Sequence, residues 1–338
     1  YTLLIVLIYG IGQIVDSYKS KSLPAFGKTI LILVLGACLA VGSNLSRFMT
    51  VLEYGSFSTR GQSNITSANT SEGGLDRDYA FNWSQGKMET LTLLVPFIYG
   101  GGSGEALPKD SNSEQALRSN GVESAQANGF VAKAPTYWGE QPSTGGPIYG
   151  GAIMLFLFVL GLIYAPKTYK YVFLSITILS IFLAFGKNLA WFNDLIFDFL
   201  PGYNKFRAVT MALSMALFAI PVLGSLGLEY LFRSGDNKSL IKNLSIALGS
   251  TAGLTLVFML FAGMFGFRAP IDANLPEWLV DAIQEDRKSM LQSSAMKSVI
   301  FILLAAALIW AGLKSKISAQ VAGLGIAVLV AIDLWTIN

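Results

Sequence analysis

The sequence predicts an all-α polytopic membrane protein of about eight transmembrane helices with a long extracytoplasmic loop. Three observations predict it. Hydrophobic residues make up 53% of the 338 and charged residues only 13%, about half the charge of an ordinary soluble domain. Apolar runs close to the ~20 residues that a spanning helix needs recur at about 1–15, 29–46, 148–165, 171–186, 208–232, 243–265, 297–313 and 319–337. The connections between these runs alternate short and long, and the short ones are basic.

The charge pattern orients the spans. Lys19, Lys21 and Lys28 sit in the first short connection and Lys167 and Lys170 in the second. Arg233, Lys238 and Lys242 sit in the third, Lys314 and Lys316 in the fourth. The long connections 47–147 and 266–296 hold more acids than bases. The positive-inside rule therefore places the short loops in the cytoplasm and the long ones outside. Trp83, Trp138, Trp191, Trp278 and Trp335 then fall at or near the outer side, as interfacial anchors do. The chain opens at Tyr1 inside an apolar stretch and stops at Asn338 just after another, which reads as the interior of a longer protein with its first span truncated.

Residues 1–46 thus form two transmembrane helices, 47–147 an extracytoplasmic loop, and 148–338 six transmembrane helices with outer loops at 187–207 and 266–296. In the long loop, "RFMTVLEYGSFSTR" extends the preceding helix and sets Arg47, Glu53 and Arg60 near the headgroups. The stretch near 89–99 is apolar but too short to span, so an interfacial or re-entrant segment is expected. From Gly104 to about Ala134 the composition is polar, and an exposed excursion of low order is expected. In "NLAWFNDLIFDFL", Leu189, Phe192, Ile196 and Phe199 recur at helical spacing, the pattern of a helix lying in the interface. Pro201-Gly202 ends it.

Composition also removes mechanisms. The chain has no histidine, so histidine bases and ligands are excluded, and one cysteine, Cys38, allows no intramolecular disulfide. The run Gly100 to Gly104 lacks the continuation of a phosphate loop and reads as a flexible turn. A net charge of +3 gives no reason to expect a nucleic-acid partner.

Several segments are familiar. "WSQGKMETLTLLVPFIYGG" (83–101), "PTYWGEQPSTGGPIYGGA" (135–152), "FGKNLAWFNDLIFDFLPGYNKFRA" (185–208), "EYGSFSTRG" (53–61) and "AIDLW" (331–335) resemble the YfhO family of bacterial membrane proteins. The resemblance runs in consistent order along nearly the whole chain. It implies a C-type glycosyltransferase-like fold in the bacterial cytoplasmic (inner) membrane. It also implies a polyprenyl-phosphate sugar donor and an extracytoplasmic acceptor, a cell-envelope glycopolymer or glycoprotein. In such folds the catalytic carboxylate sits in the first extracytoplasmic loop, which the resemblance places upstream of this chain.

The chemistry implied needs cations where the leaving phosphate develops charge and a carboxylate to take the acceptor's proton. Arg207, Lys205 and Lys187 stand at the right depth for the phosphate, with Arg60 and Arg47 as supplements. Their bland alternative is lipid anchoring, or pairing with Asp194 and Asp198. Glu53, Asp76, Asp78 and Glu89 are the carboxylate candidates within the chain; these and Glu140 are more often solvated or structural charges. Asp76 and Asp78 could hold a divalent cation, though two carboxylates make a thin site. Asp333, inside an apolar helix, is as readily a structural pair as a functional group. The competing function is a non-catalytic membrane protein, either a transporter of lipid-linked substrate or an accessory subunit of an envelope complex in the membrane. No internal repeat and no midplane charge pattern favours the transporter.

Overall fold

A computed structural model describes residues 1–55, 57–58, 75–234 and 239–337. Arg60 and Lys238 lie outside them. Helix α1 (Thr2–Lys19) is followed by α2 (Leu23–Ser43) and α3 (Leu45–Gly55), and none of the three contains a buried residue. Most of their apolar surface stays exposed, as expected of helices facing lipid, while Leu4, Ile5 and Ile8 of α1 pack in part against the bundle. The next elements are a single turn, α4 (Arg77–Ala80), a 3-10 segment (Met88–Leu93), and two short helices, α5 (Asn112–Ser119) and α6 (Ser124–Val131).

The bundle proper begins with α7 (Ala152–Tyr164), α8 (Lys167–Ala184), the short α9 (Ala190–Phe199) and α10 (Leu213–Ser234). Helices α11 (Leu240–Leu248) and α12 (Leu254–Leu260) are halves of one rod joined by a π-turn at Gly249–Gly253. A 37-residue helix, α13 (Glu277–Leu313), and α14 (Ala319–Trp335) complete it. Among the described residues there is no strand. Six helical stretches are long and apolar enough to cross a membrane: Thr2–Lys19, Leu23–Ser43, Lys167–Ala184, Val209–Ser234, Leu240–Leu260 and Glu277–Leu313. The other two expected spans are apolar helices of 13 and 17 residues, α7 and α14. The chain is a multi-pass helical membrane protein.

Helices α7 and α10 cross at glycines. A side chain added to Gly227 would overlap the backbone of Gly161, and one added to Gly161 would overlap Leu223. Without a hydrophobic force between helices in lipid, such close backbone approach supplies the packing energy. The start of α10 is broken: Ala208 is left-handed (φ 61°) and Val209–Ala212 is a 3-10 turn. Ser180 of α8 repairs the break. Its Oγ donates to the Ala212 carbonyl at 2.7 Å and accepts from the Ala216 N–H at 3.0 Å. A buried hydroxyl is how a membrane helix tolerates freed backbone groups.

Two expectations are corrected at the loop-rich end. Residues 104–134 are not an excursion of low order. Leu107, Leu117, Ala127, Val131 and Ala134 form a small core that Leu279 and Ile283 of α13 complete. The buried Asp286 carboxylate holds the start of α5, accepting from the backbone N–H groups of Asn112 (2.8 Å) and Ser113 (2.9 Å). The span expected at 297–313 is only the lower part of α13, so most of the expected 266–296 loop is helix. At 1.5 Å per residue α13 runs ~55 Å, well beyond the ~30 Å hydrocarbon core. The apolar segment near 89–99 is enclosed by protein: Leu94, Val95 and Ile98 join the main core, and the Leu94 carbonyl accepts from Ser298 Oγ at 3.2 Å.

The expected orientation can be checked by labelling. In a Cys38→Ser background, Ser20→Cys should react only from the cytoplasm and Ser119→Cys only from outside. Both serines are exposed. Reaction of both from one side would overturn the orientation.

Candidate functional site

At the loop-rich end three segments converge: 75–89, 137–146 and 184–207. Asp76 caps α4, accepting from the Tyr79 N–H at 3.0 Å, and Leu75 N–H donates to the Asn204 carbonyl at 2.9 Å. Trp83 Nε1 donates to the Ser143 carbonyl at 3.2 Å. Ser84 Oγ accepts from the Lys187 N–H at 2.9 Å, and the Gln85 N–H donates to the Ala184 carbonyl at 2.8 Å. These contacts tie the polar turn after α8 to the loop before the 3-10 segment.

The Lys187-Asn188 turn is therefore fixed by its neighbours. Asn188 Nδ2 donates to the Gln85 carbonyl at 2.9 Å and to Glu140 Oε2 at 2.8 Å. Glu140 and Lys187 are both exposed, and among the described residues no ion pair engages Lys187. Behind them Glu89 is buried, with three donors on its carboxylate. Gly86 N–H donates to Oε2 at 2.6 Å, Glu140 N–H donates to Oε1 at 3.1 Å, and the Tyr137 hydroxyl donates to Oε1. A side chain at position 139 would displace the Glu89 carboxylate and the Tyr137 hydroxyl from each other. Burial, then the Glu89 charge, pushes the Tyr137 phenol well above its ordinary value, and burial pushes Tyr99 up to about 12. Both stay protonated donors. A narrow cleft opens between Gln85, Glu89, Tyr99, Tyr137, Pro147 and Ile148.

The cations divide into two kinds. Arg77 is spent on Asp194 (3.3 Å) and Asp198 (2.6 Å), and lies over the Phe197 ring. Pairing of Asp194 and Asp198 with Lys205 or Arg207 was one alternative to a phosphate role; both carboxylates pair with Arg77 instead, because Phe197 of α9 packs against Phe81 and Arg77. Arg207 donates from Nη1 to the Tyr79 hydroxyl at 2.6 Å and lies over the Tyr79 and Trp83 rings, at 5.7 and 5.5 Å. It remains exposed, and Lys205 is half-buried in the turn Tyr203–Lys205. Trp83 bridges the Arg207 guanidinium to the segment that holds Lys187.

The other candidates stand apart. Glu53 and Arg47 are exposed on α3, and Arg60 lies outside the described residues. Asp76 is engaged as a cap and Asp78 lies exposed in the same turn. Among the described residues no three His, Cys, Asp or Glu side chains gather as a cation site. Asp333 is buried and accepts from the Tyr149 hydroxyl at 2.7 Å, which joins α14 to the start of α7. Trp83 and Trp138, expected as interfacial anchors, are engaged inside the protein: Trp138 stacks on Tyr99 at 4.4 Å and against Phe267. Trp191, Trp278 and Trp335 are the exposed ones of the five, at 72%, 36% and 84%.

The site's class is thus a polar, mixed-charge rim at one end of a multi-pass helical bundle. Comparison with known proteins gives no match to a family model, a curated protein or a solved structure.

Proposed function

We propose that the chain is an integral membrane glycosyltransferase of C-type architecture, with eight spans, in the bacterial cytoplasmic membrane. It would move a sugar from a polyprenyl-phosphate donor to an extracytoplasmic cell-envelope acceptor. The observation that carries this reading is the Lys187-Asn188 turn, where one short segment presents a cation that no ion pair among the described residues engages and the amide that donates to the exposed Glu140 carboxylate. The YfhO-like wording of the same loops supports it.

The proposed reading gives the residues these roles. Glu140, in place of the upstream carboxylate that the resemblance implies, takes the proton of an acceptor hydroxyl as that oxygen bonds to the anomeric carbon. The bond from that carbon to the phosphate oxygen breaks, and the phosphate leaves as an anion. Lys187 and Arg207, at the rim, receive that charge; Lys205 stands in the same connection. Asn188, Glu89 and Tyr137 are positioning residues for Glu140. Helix α9 supplies the wall past which a lipid tail reaches the rim, with Trp191, Leu195 and Phe199 exposed along it.

The competing reading, a non-catalytic transporter or accessory subunit, draws on the caging of Arg207 by Tyr79 and Trp83, which an anchor would also show. Sugar transfer in membranes from a polyprenyl-phosphate donor separates the two. Arg207→Lys should lose ~30- to 1000-fold in rate, as for a lost charge-assisted contact to a developing anion of about 2–4 kcal/mol. Lys205→Ala should lose less, because a point charge is partly replaced by solvent. Near-normal transfer by the Arg207→Ala, Lys205→Ala double variant would reduce these two cations to a lipid anchor.

A further inference from the structure

A second cavity, of about 440 Å³, lies away from this rim, between α13 and the segment 105–112. One wall is Ser289, Ser293 and Lys297, at i, i+4 and i+8 and hence on one face of α13. The other wall carries Glu105, Lys109 and Asp110, and Phe97, Leu107, Met290 and Ile337 supply apolar surface.

The charges are ordered along the helix. Leu313 ends α13 beside Lys314 and Lys316, and Lys297 is about 24 Å above it at 1.5 Å per residue. With a hydrocarbon core of ~30 Å, the Lys297 ammonium rises into the plane where lipid phosphates lie. Among the described residues no ion pair engages it. Asp286 stands ~16 Å higher, where its carboxylate holds Asn112 and Ser113. That contact fixes Asp110, two residues earlier and exposed, at the upper end of the cavity. Glu105 is half-buried on the same wall, with Oε2 accepting from the Gly102 N–H at 2.8 Å. On this wall two carboxylates face one Lys109, so it is net negative, while the lower end is cationic.

We propose that this cavity binds a phospholipid headgroup in which a phosphate diester carries a primary ammonium, a phosphoethanolamine lipid of the outer leaflet. The phosphate meets Lys297 and the hydroxyls of Ser293 and Ser289. The ammonium, which lies toward water from the phosphate, meets Asp110 and Glu105. The acyl chains descend past Phe97 and Ile337. An anionic lipid would place its second polar group against the carboxylates without a positive charge. A choline lipid has the charge but no N–H to donate. This site is independent of the glycosyltransferase reading.

The test is lipid retention by the detergent-purified full chain, read by native mass spectrometry after exchange with dioleoyl lipids bearing ethanolamine, glycerol or choline headgroups. Ethanolamine lipid should be retained at least about 10-fold better than either other, the equivalent of ~1.4 kcal/mol. Lys297→Gln should lower retention of all three lipids several-fold, because all three share the phosphate that Lys297 meets. Asp110→Asn should lower ethanolamine-lipid binding several-fold and leave glycerol-lipid binding unchanged. Water-soluble O-phosphoethanolamine should compete only weakly, because it lacks the chains; full displacement by it at equal concentration would mean that the site takes the free headgroup and overturn the lipid assignment. Equal retention of the three lipids, unchanged in Lys297→Gln, would overturn the site.

Discussion

Glu140→Gln is expected to lower sugar transfer by about 10²- to 10⁴-fold, the usual worth of a positioned general base. The substitution is nearly isosteric, and Glu140 is exposed, so insertion and folding should be unchanged. A Gln side chain can still accept from Asn188 Nδ2, but it cannot take a proton from an acceptor hydroxyl. The contrast is Asn188→Ala. It leaves the carboxylate in place and removes the donor that aims it at 2.8 Å, together with that donor's contact to the Gln85 carbonyl, so the loss should be smaller. Glu89→Gln should act differently again. Both Glu89 oxygens are occupied by donors, and an amide NH₂ would face one of them. That conflict costs ~1–3 kcal/mol of local stability and shifts the Glu140 backbone. The measurement is transfer rate in membranes, with protein amount and thermal stability measured alongside. Wild-type transfer by Glu140→Gln removes Glu140 from the chemistry. Loss of both transfer and stability in Glu89→Gln, but of transfer alone in Glu140→Gln, separates scaffold from chemistry.

The fold class was legible because membrane helices satisfy their backbone locally, so a continuous apolar run such as 171–186 or 208–232 needs no partner to be recognised. The loop-rich end was not, and the reason is distance along the chain. Leu117, Ala127 and Val131 look too sparse to form a core until Leu279 and Ile283 are packed against them. Asp286 and Arg287 read as loop charges, yet both are buried within a helix, because their partners come from 112–113 and from 135–136, 267 and 272. At the rim, the cations Lys187, Lys205 and Arg207 were visible as charges in the connection between two spans. Their assignment was not: only three dimensions show that Arg77 takes Asp194 and Asp198, or that Asn188 reaches Glu140 across 48 positions. Glu140 was visible only as one outer carboxylate among several. The aromatic and glycine residues around it, in "TYWGEQ", were a signal of tight packing that composition alone does not turn into a site.

Arg287→Met should destabilise the protein by about 3–5 kcal/mol, the cost of removing one partner of a buried ion pair. Arg287 is fully buried on α13, and every one of its five N–H donors is used. Nη1 and Nη2 grip both oxygens of Asp272, at 2.7 and 2.9 Å. Nη1 also donates to the Phe267 carbonyl (2.5 Å), Nη2 to Pro135 (2.6 Å) and Nε to Thr136 (3.1 Å). One side chain therefore ties α13 to the turn before it and to the strand of chain that leads into the Tyr137–Glu140 segment. In Arg287→Met the Asp272 carboxylate stays buried, with the Ala269 N–H as its remaining hydrogen-bond donor (2.7 Å). Adding Asp272→Asn removes that stranded charge, and the double variant should recover part of the loss. Recovery will be incomplete, since three carbonyls still lack their donor. Trypsin gives an independent readout. Lys109 and Lys133 flank the small core completed by α13, and in the native protein that core should slow cleavage at both. In Arg287→Met cleavage there should speed up well before the membrane helices melt, because the core leans on the upper half of α13. If Arg287→Met melts at the native temperature and is cut no faster, the loop-rich end is held by its apolar contacts alone and the ion pair contributes nothing to it.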